Sequence, residues 1–168
     1  SKTKFAATKQ SVTKQQSTTL LKNMFRISIS SICYLRALFP DECFKHSKYG
    51  SQEVHQLQCA EYVEGGEVKI LHEEAFMLSQ WLEKSVFEAL IKEYLRSMTF
   101  MIYTTNKETS EDVVLETYTF NVAYPEKGKP FGTINGEEIS IDNTKQQAIQ
   151  FIKHLVDFSS TLESLPEE

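Results

Sequence analysis

Four residues in one short stretch have side chains suited to a metal ion: Cys43, His46, His55 and Cys59. Two thiolates and two imidazoles can complete a tetrahedral zinc site. Their spacing, Cys-x2-His-x8-His-x3-Cys, matches none of the common zinc patterns, and the stretch between the histidines is short. A loop that merely contains these residues is the plainer reading, so no metal ligand and no cofactor is expected. Other reactive side chains stand alone. Cys33 lies inside an apolar run, where a cysteine acts as a small hydrophobe. His72 falls at a helix entrance and His154 within a later helical pattern, each without a partner in sequence. Glu64-Gly-Gly-Glu67 would repel a phosphate, and there is no nucleophile elbow or His-Glu-x-x-His motif. The chain is not expected to be an enzyme.

Arg36 is the most informative charged residue. It closes a run that has no charged residue since Arg26, beside Tyr34, Phe39 and Pro40. A cation at a helix C-terminus interacts favourably with the helix dipole, and that is one sufficient reason for its presence.

The elements that must position these residues can be read from period and punctuation. Thr13-Lys-Gln-Gln16 fits a capping box that opens a helix, and Pro40 is expected to stop that helix near Leu38. Apolar side chains lie on every side of it after Arg26. A helix apolar all round is buried or spans a membrane, and this run is too short and too rich in serine to span one. Residues 41–60 read as polar and irregular. Tyr62-Val63 and Val68–Leu71 flank a hairpin turn at Glu64–Glu67. A second helix is expected from about Glu73 to Arg96, burying Leu78, Trp81, Leu82, Ser85, Val86 and Ala89. Met98–Thr104 reads as a central strand. Val114–Tyr124 alternates, with Tyr118, Phe120, Val122 and Tyr124 on one face and Thr117, Thr119 and Asn121 on the other. Asn135-Gly136 marks a tight hairpin. Thr144–Gln147 is a second capping box, opening a helix with Ile149, Ile152, Leu155, Val156 and Phe158 on a broad apolar face. Leu35, Trp81 and Phe120 are expected to share one core. The fold class is α+β, three long helices packed on a mostly antiparallel sheet with additional hairpins.

Size and composition fit one domain. Of the 168 residues, 40% are hydrophobic and 11% aromatic, enough for a substantial core. Three cysteines without regular spacing argue against a disulfide framework and for a reducing compartment. No signal peptide or membrane-spanning run is visible. The net charge of −5 is unevenly distributed. Residues 1–40 hold seven basic residues (Lys2, Lys4, Lys9, Lys14, Lys22, Arg26 and Arg36) and no acid, while the rest carry 11 basic and 23 acidic groups. A basic N-terminal third raises an alternative reading, a DNA-binding module. Residues 1–12 read as a flexible polar tail and 13–168 as the folded unit.

Two words carry a family resemblance: Tyr34-Leu-Arg-Ala-Leu-Phe-Pro40 after the long apolar helix, and Trp81-Leu-Glu-Lys-Ser-Val-Phe87 on the next one. From about Thr13 to Pro166 the chain resembles the HORMA family, and within it the meiotic chromosome-axis branch. The resemblance implies an adaptor that binds closure-motif peptides by β-augmentation and then wraps a C-terminal safety belt over them. It implies a receiving strand at Glu116, Thr117, Tyr118, Thr119, Phe120, Asn121, Val122, Ala123 and Tyr124. For Arg36 it implies a part in conformation or in contact with a remodeller. The implied partners are closure motifs of axis proteins or of the protein's own C-terminal tail, an AAA+ remodelling ATPase, further copies of itself, and chromatin mainly through partners. The implied place is the nucleus, on meiotic chromosomes, supporting double-strand-break formation, interhomologue recombination and synapsis. The belt would begin where this sequence ends, near Leu165-Pro166, so a belt-less core is expected. The spindle-checkpoint and translesion-polymerase branches of the family are alternatives, against which the Trp81–Phe87 word argues.

Overall fold

The computed structural model describes residues 13–49, 51–139 and 144–165. The tail expected at 1–12 lies outside them.

The first helix, α1 (Lys14–Leu35), is the centre of the molecule. Its capping box forms as expected: Thr13 Oγ1 accepts from the Gln16 N–H at 3.2 Å, and the Thr13 N–H donates to Gln16 Oε1 at 2.7 Å. Leu21, Phe25, Ile29, Ile32 and Cys33 are almost wholly buried, and Ser17, Ser28, Ser30 and Ser31 are buried with them. Ser28 Oγ satisfies itself locally, donating to the Met24 carbonyl at 2.5 Å, whereas Ser30 Oγ accepts from the Leu57 N–H and Ser17 Oγ has no partner among the described residues. The helix ends earlier than Pro40 requires. Ala37 adopts a left-handed φ of 52°, and the Leu38 N–H turns back to the Cys33 carbonyl at 3.0 Å. This is a Schellman-type cap, with alanine in the position glycine usually takes.

Residues 41–49 and 51–60 form regular elements, contrary to the irregular loop expected. A 3-10 turn (Asp41–Cys43) leads into β1 (Phe44–Tyr49), paired antiparallel with β2 (Gln52–Leu57) in a two-stranded sheet. The hairpin packs on α1: Phe44 and Val54 are buried, the Leu57 N–H donates to Ser30 Oγ, and Tyr34 stacks on His55 at 3.5 Å. The next hairpin, β3 (Ala60–Tyr62) and β4 (Val68–Ile70), turns where Gly65 and Gly66 supply positive φ angles.

The second helical stretch is broken into three: α2 (Glu73–Gln80), a π-helical turn (Trp81–Val86) and α3 (Phe87–Ile91). The wide turn changes which side chains face inward. Leu82, Val86, Phe87 and Leu90 are buried, whereas Trp81 is 41% exposed and Ser85 is exposed. A run at i, i+4 overshoots by roughly 40° per step in a 3.6-residue helix, and a π turn offsets that drift. The expected core placement of Trp81 is therefore corrected; Leu35 and Phe120 do join the core.

The main sheet has four antiparallel strands in the order β5 (Ser97–Thr105), β6 (Asp112–Ala123), β7 (Phe131–Ile134), β8 (Glu137–Ile139). On β6 the buried side chains are Tyr118, Phe120 and Val122, the period-two face read from sequence. Asn135 (φ 49°) and Gly136 (φ 86°) form the two-residue β7–β8 turn. The last helix, α4 (Thr144–Ser160), buries Ile152 and Leu155. Phe25 of α1 meets Phe120 of β6 edge-on at 5.4 Å, which joins the helix layer to the sheet.

Candidate functional site

The strongest candidate is the side of β6 that faces away from β5. Antiparallel strands direct alternate backbone pairs to opposite neighbours. The Val122 N–H donates towards β5, to the Arg96 carbonyl at 3.0 Å. Odd-numbered residues in this part of β6 therefore turn the other way. Thr119 confirms it: its N–H donates to Asn135 Oδ1 at 2.8 Å and its carbonyl accepts from the Asn135 N–H at 2.8 Å. Asn135 thus closes the β7 side at Thr119. Beyond that point β7 has ended, and Thr117 presents an N–H and a carbonyl with no strand beside them among the described residues. A bulge lies just past it, where the register with β5 shifts between Ile102 and Tyr103.

This geometry bounds the unpaired edge of β6. Phe120 and Asn121 have β5 on one side and β7 on the other, Val122 donates to the Arg96 carbonyl just before β5, and Ala123 pairs with Phe131, so this stretch is closed on its β7 side; Tyr124 lies past the strand end. The open stretch runs from Val113 through Tyr118, with Thr117 as its first free rung. From the sequence, Glu116, Thr117 and Tyr118 were candidates, while Val113–Leu115 were not. The signal that could have found the boundary is the Asn-Gly turn, which fixes how far β7 reaches along β6.

Arg36 and the receiving strand, separate candidates in sequence, come together here. The buried Arg36 guanidinium (8% exposed) grips Glu116 with two bonds, from Nε to Oε2 at 3.1 Å and from Nη2 to Oε1. The same Nη2 donates to the Glu163 carbonyl at 2.6 Å, on the segment after α4. Tyr118 Oη donates to Glu116 Oε2 at 2.9 Å. Burial, followed by this bond to a carboxylate, pushes the Tyr118 phenol well above its ordinary range. One buried cation therefore ties together the end of α1, the open part of β6 and the chain beyond α4. Glu163 carries no sequence signal, because it contributes a backbone carbonyl.

Two cavities flank the open edge. One, about 430 Å³, lies between the β7–β8 turn and α4, with Tyr118, Ile134 and Leu155 as its floor. The other, about 950 Å³, lies between the end of α1, the start of α2 and the far end of β5 and β6.

The remaining candidates do not gather. Among the described residues no three His, Cys, Asp or Glu side chains converge as metal ligands. Cys43 and Cys59 are buried, while His46 and His55 face each other at the hairpin surface with Nδ1 atoms 2.8 Å apart. Burial, and then His46, lowers the His55 pKa. Cys33 is sealed in α1, and burial pushes its thiol up to about 12. His72 Nδ1 accepts from the Ala75 N–H as the cap of α2. The basic face of α1 is largely neutralised: Lys14 pairs with Glu93, Arg26 with Glu83 and Arg36 with Glu116, and Lys22 sits over the Phe87 ring. That weighs against nucleic-acid binding by α1.

An apolar helix is buried against an antiparallel sheet, and among the described residues one strand of that sheet is left half-paired. Residues 17–168 match the HORMA domain family, and the chain belongs to that family. HORMA domain-containing protein 1 of Danio rerio is 31% identical over 159 residues, covering 92% of this chain and 41% of that protein. Meiosis-specific protein ASY1 of Arabidopsis thaliana is 26% identical over 172 residues (94% and 27%). Meiosis-specific protein HOP1 of Saccharomyces cerevisiae is 26% identical over 182 residues (96% and 29%). The chain thus spans less than half the length of these relatives. Among solved structures, C. elegans HTP-2 bound to HTP-3 closure motif 1 superposes with a TM-score of 0.67 at 14% identity, over 94% of this chain and 64% of that one. C. elegans HTP-1 bound to the HIM-3 closure motif gives 0.64 at 16% identity, over 93% and 67%. At these identities the likeness shows the fold.

Proposed function

We propose that this protein is a meiotic chromosome-axis adaptor that takes up closure-motif peptides as an added strand along Val113–Tyr118 of β6. The observation that carries the reading is the rung at Thr117, free among the described residues, on a strand whose other edge pairs with β5 apart from one bulge. An unpaired edge of this kind is a template for another chain. Added strands draw affinity from main-chain hydrogen bonds and specificity from alternate side chains. The meiotic HORMA relatives, and the closure motifs bound in the HTP-1 and HTP-2 structures, support the choice of partner.

On this reading the peptides come from axis proteins or from the protein's own C-terminal tail, the latter allowing self-assembly. Chromatin is reached through those partners, within the nucleus. The domain acts without catalysis. An AAA+ ATPase resets it by pulling on residues 1–12 and unfastening the Arg36–Glu116 pair.

The test is a titration of labelled peptides, tiled across axis proteins of the same organism, against the wild type and Thr117→Pro. Proline removes the free N–H while leaving the β5 ladder intact, and it is tolerated mainly at such edges. Thr119→Pro is a poorer probe, because it would also break the bond to Asn135. The expected result is saturable binding by the wild type and its loss in a folded Thr117→Pro protein. Equal binding by both would move the receiving edge elsewhere.

A further inference from the structure

We infer that the segment received at the β6 edge is basic at both ends, with Lys or Arg flanking a short centre of alternating apolar residues. This rests on the proposed receiving edge and names the chemistry of its occupant. A strand lying against Val113–Thr117 has five residues and spans roughly 17 Å. Its path passes the two cavities, which β6 lines with Tyr118 and with Leu115, and both are rimmed by acids. At the α4 end these are Glu137 and Asp157; at the α2 end they are Glu73 and Glu74. All four are exposed, and none has an ion-pair partner among the described residues. Among the described residues the one Lys or Arg lining either cavity is Arg36, whose charge is buried against Glu116. An incoming chain therefore meets uncompensated negative charge at each end of its path. Such fields steer association and reject like-charged partners.

Local structure explains only half of this charge. Glu73 and Glu74 open α2, where acids interact favourably with the helix N-terminus. Asp157 lies in the last turn of α4, where the dipole disfavours a carboxylate. The cavity at the α4 end has an apolar floor, with Ile134 and Leu155 buried beside Tyr118, and the open stretch of β6 itself exposes Val113, Val114 and Leu115. These apolar side chains meet the apolar centre of the segment, and the rims accept its cationic ends.

The experiment is selection of a displayed library of random nine-residue peptides on the wild-type protein. Clones that also bind Thr117→Pro are discarded. Lys and Arg are expected to be enriched severalfold over the input at both ends of the surviving pool, around an apolar centre. On a Glu137→Lys/Asp157→Lys variant, the basic preference should vanish or reverse at one end only. The pool from the wild type should bind that variant at least tenfold more weakly, with a steep salt dependence in the wild type alone. The four acids are exposed, so thermal melts should show both proteins folded. A pool without charge bias, or one that binds the charge-reversed variant equally well, overturns the inference. Failure to recover any Thr117→Pro-sensitive pool overturns the receiving edge itself, which is a different outcome.

Discussion

At the scale of single residues, the site depends on a charge that has been taken out of water. Arg36 is stable in its place because Glu116 and the Glu163 carbonyl meet its donors. Removing one partner of a buried ion pair costs about 3–5 kcal/mol, far more than a surface pair contributes. Glu116→Gln should therefore lower the urea midpoint by an amount equivalent to about 3 kcal/mol, and adding Arg36→Met should recover much of the loss. A fall below 0.5 kcal/mol would place the pair in solvent. Sequence singled out both residues but not their contact, because 80 positions separate them and no local rule spans that distance. Ala37 was invisible for a different reason. Its left-handed φ of 52° is strained for any residue with a Cβ, so Ala37→Gly should raise stability by about 1 kcal/mol, read from the same denaturation curves. Cys33 makes a third test. Its thiol is held up to about 12 by burial, against an unfolded value near 8.5. A raised folded pKa contributes stability that is complete below the unfolded value and is lost as pH climbs towards the folded one. Between about pH 8.5 and 12 the wild type should lose stability more steeply than Cys33→Ala; parallel slopes would show the thiol to be solvated.

At the scale of elements, pattern was legible where one face is buried and obscure where packing does the work. The alternation of β6 and the capping box of α1 announce themselves because each encodes its own geometry. The β1–β2 hairpin does not. Its first strand reads Phe-Lys-His-Ser-Lys-Tyr, almost all polar, and it is held in place by α1 rather than by its own period. The second helix misleads in the opposite direction. Its apolar residues fit a regular helix with Trp81 inside, but the π turn delivers Leu82 and Val86 to the core and leaves Trp81 at 41% exposure. Truncation energies should follow the structure. Leu82→Ala should cost about 2–5 kcal/mol, as for other buried leucines. Trp81→Ala should cost about 1 kcal/mol or less. Thermal melts of the two variants decide between the patterns, since a straight helix with both side chains inside would make both truncations costly.

At the scale of the whole molecule, binding and folding are linked through one core. The α+β class was legible because helical and strand periods separate cleanly along the chain. The half-paired edge was not, because it depends on where β7 stops relative to β6. That edge belongs to a strand whose inner face is nailed to α1 by Phe25 and Phe120. Phe25→Ala should cost about 3–5 kcal/mol, although Phe25 lies on α1 and not on the proposed receiving strand. A peptide that binds only the folded protein stabilises it by mass action, about 2.7 kcal/mol when free peptide is 100 times its Kd. Peptide recovered in the titration should therefore restore much of the melting temperature lost in Phe25→Ala. The same addition should leave Thr117→Pro unmoved, because that variant keeps the fold and lacks the rung. The comparison separates two kinds of adaptor. If the peptide binds the wild type without raising its melting temperature, the protein recognises it through a segment that does not need the fold. If it rescues Phe25→Ala but not Thr117→Pro, recognition runs through β6, and the stability of the core sets how much of the protein is competent to capture a partner.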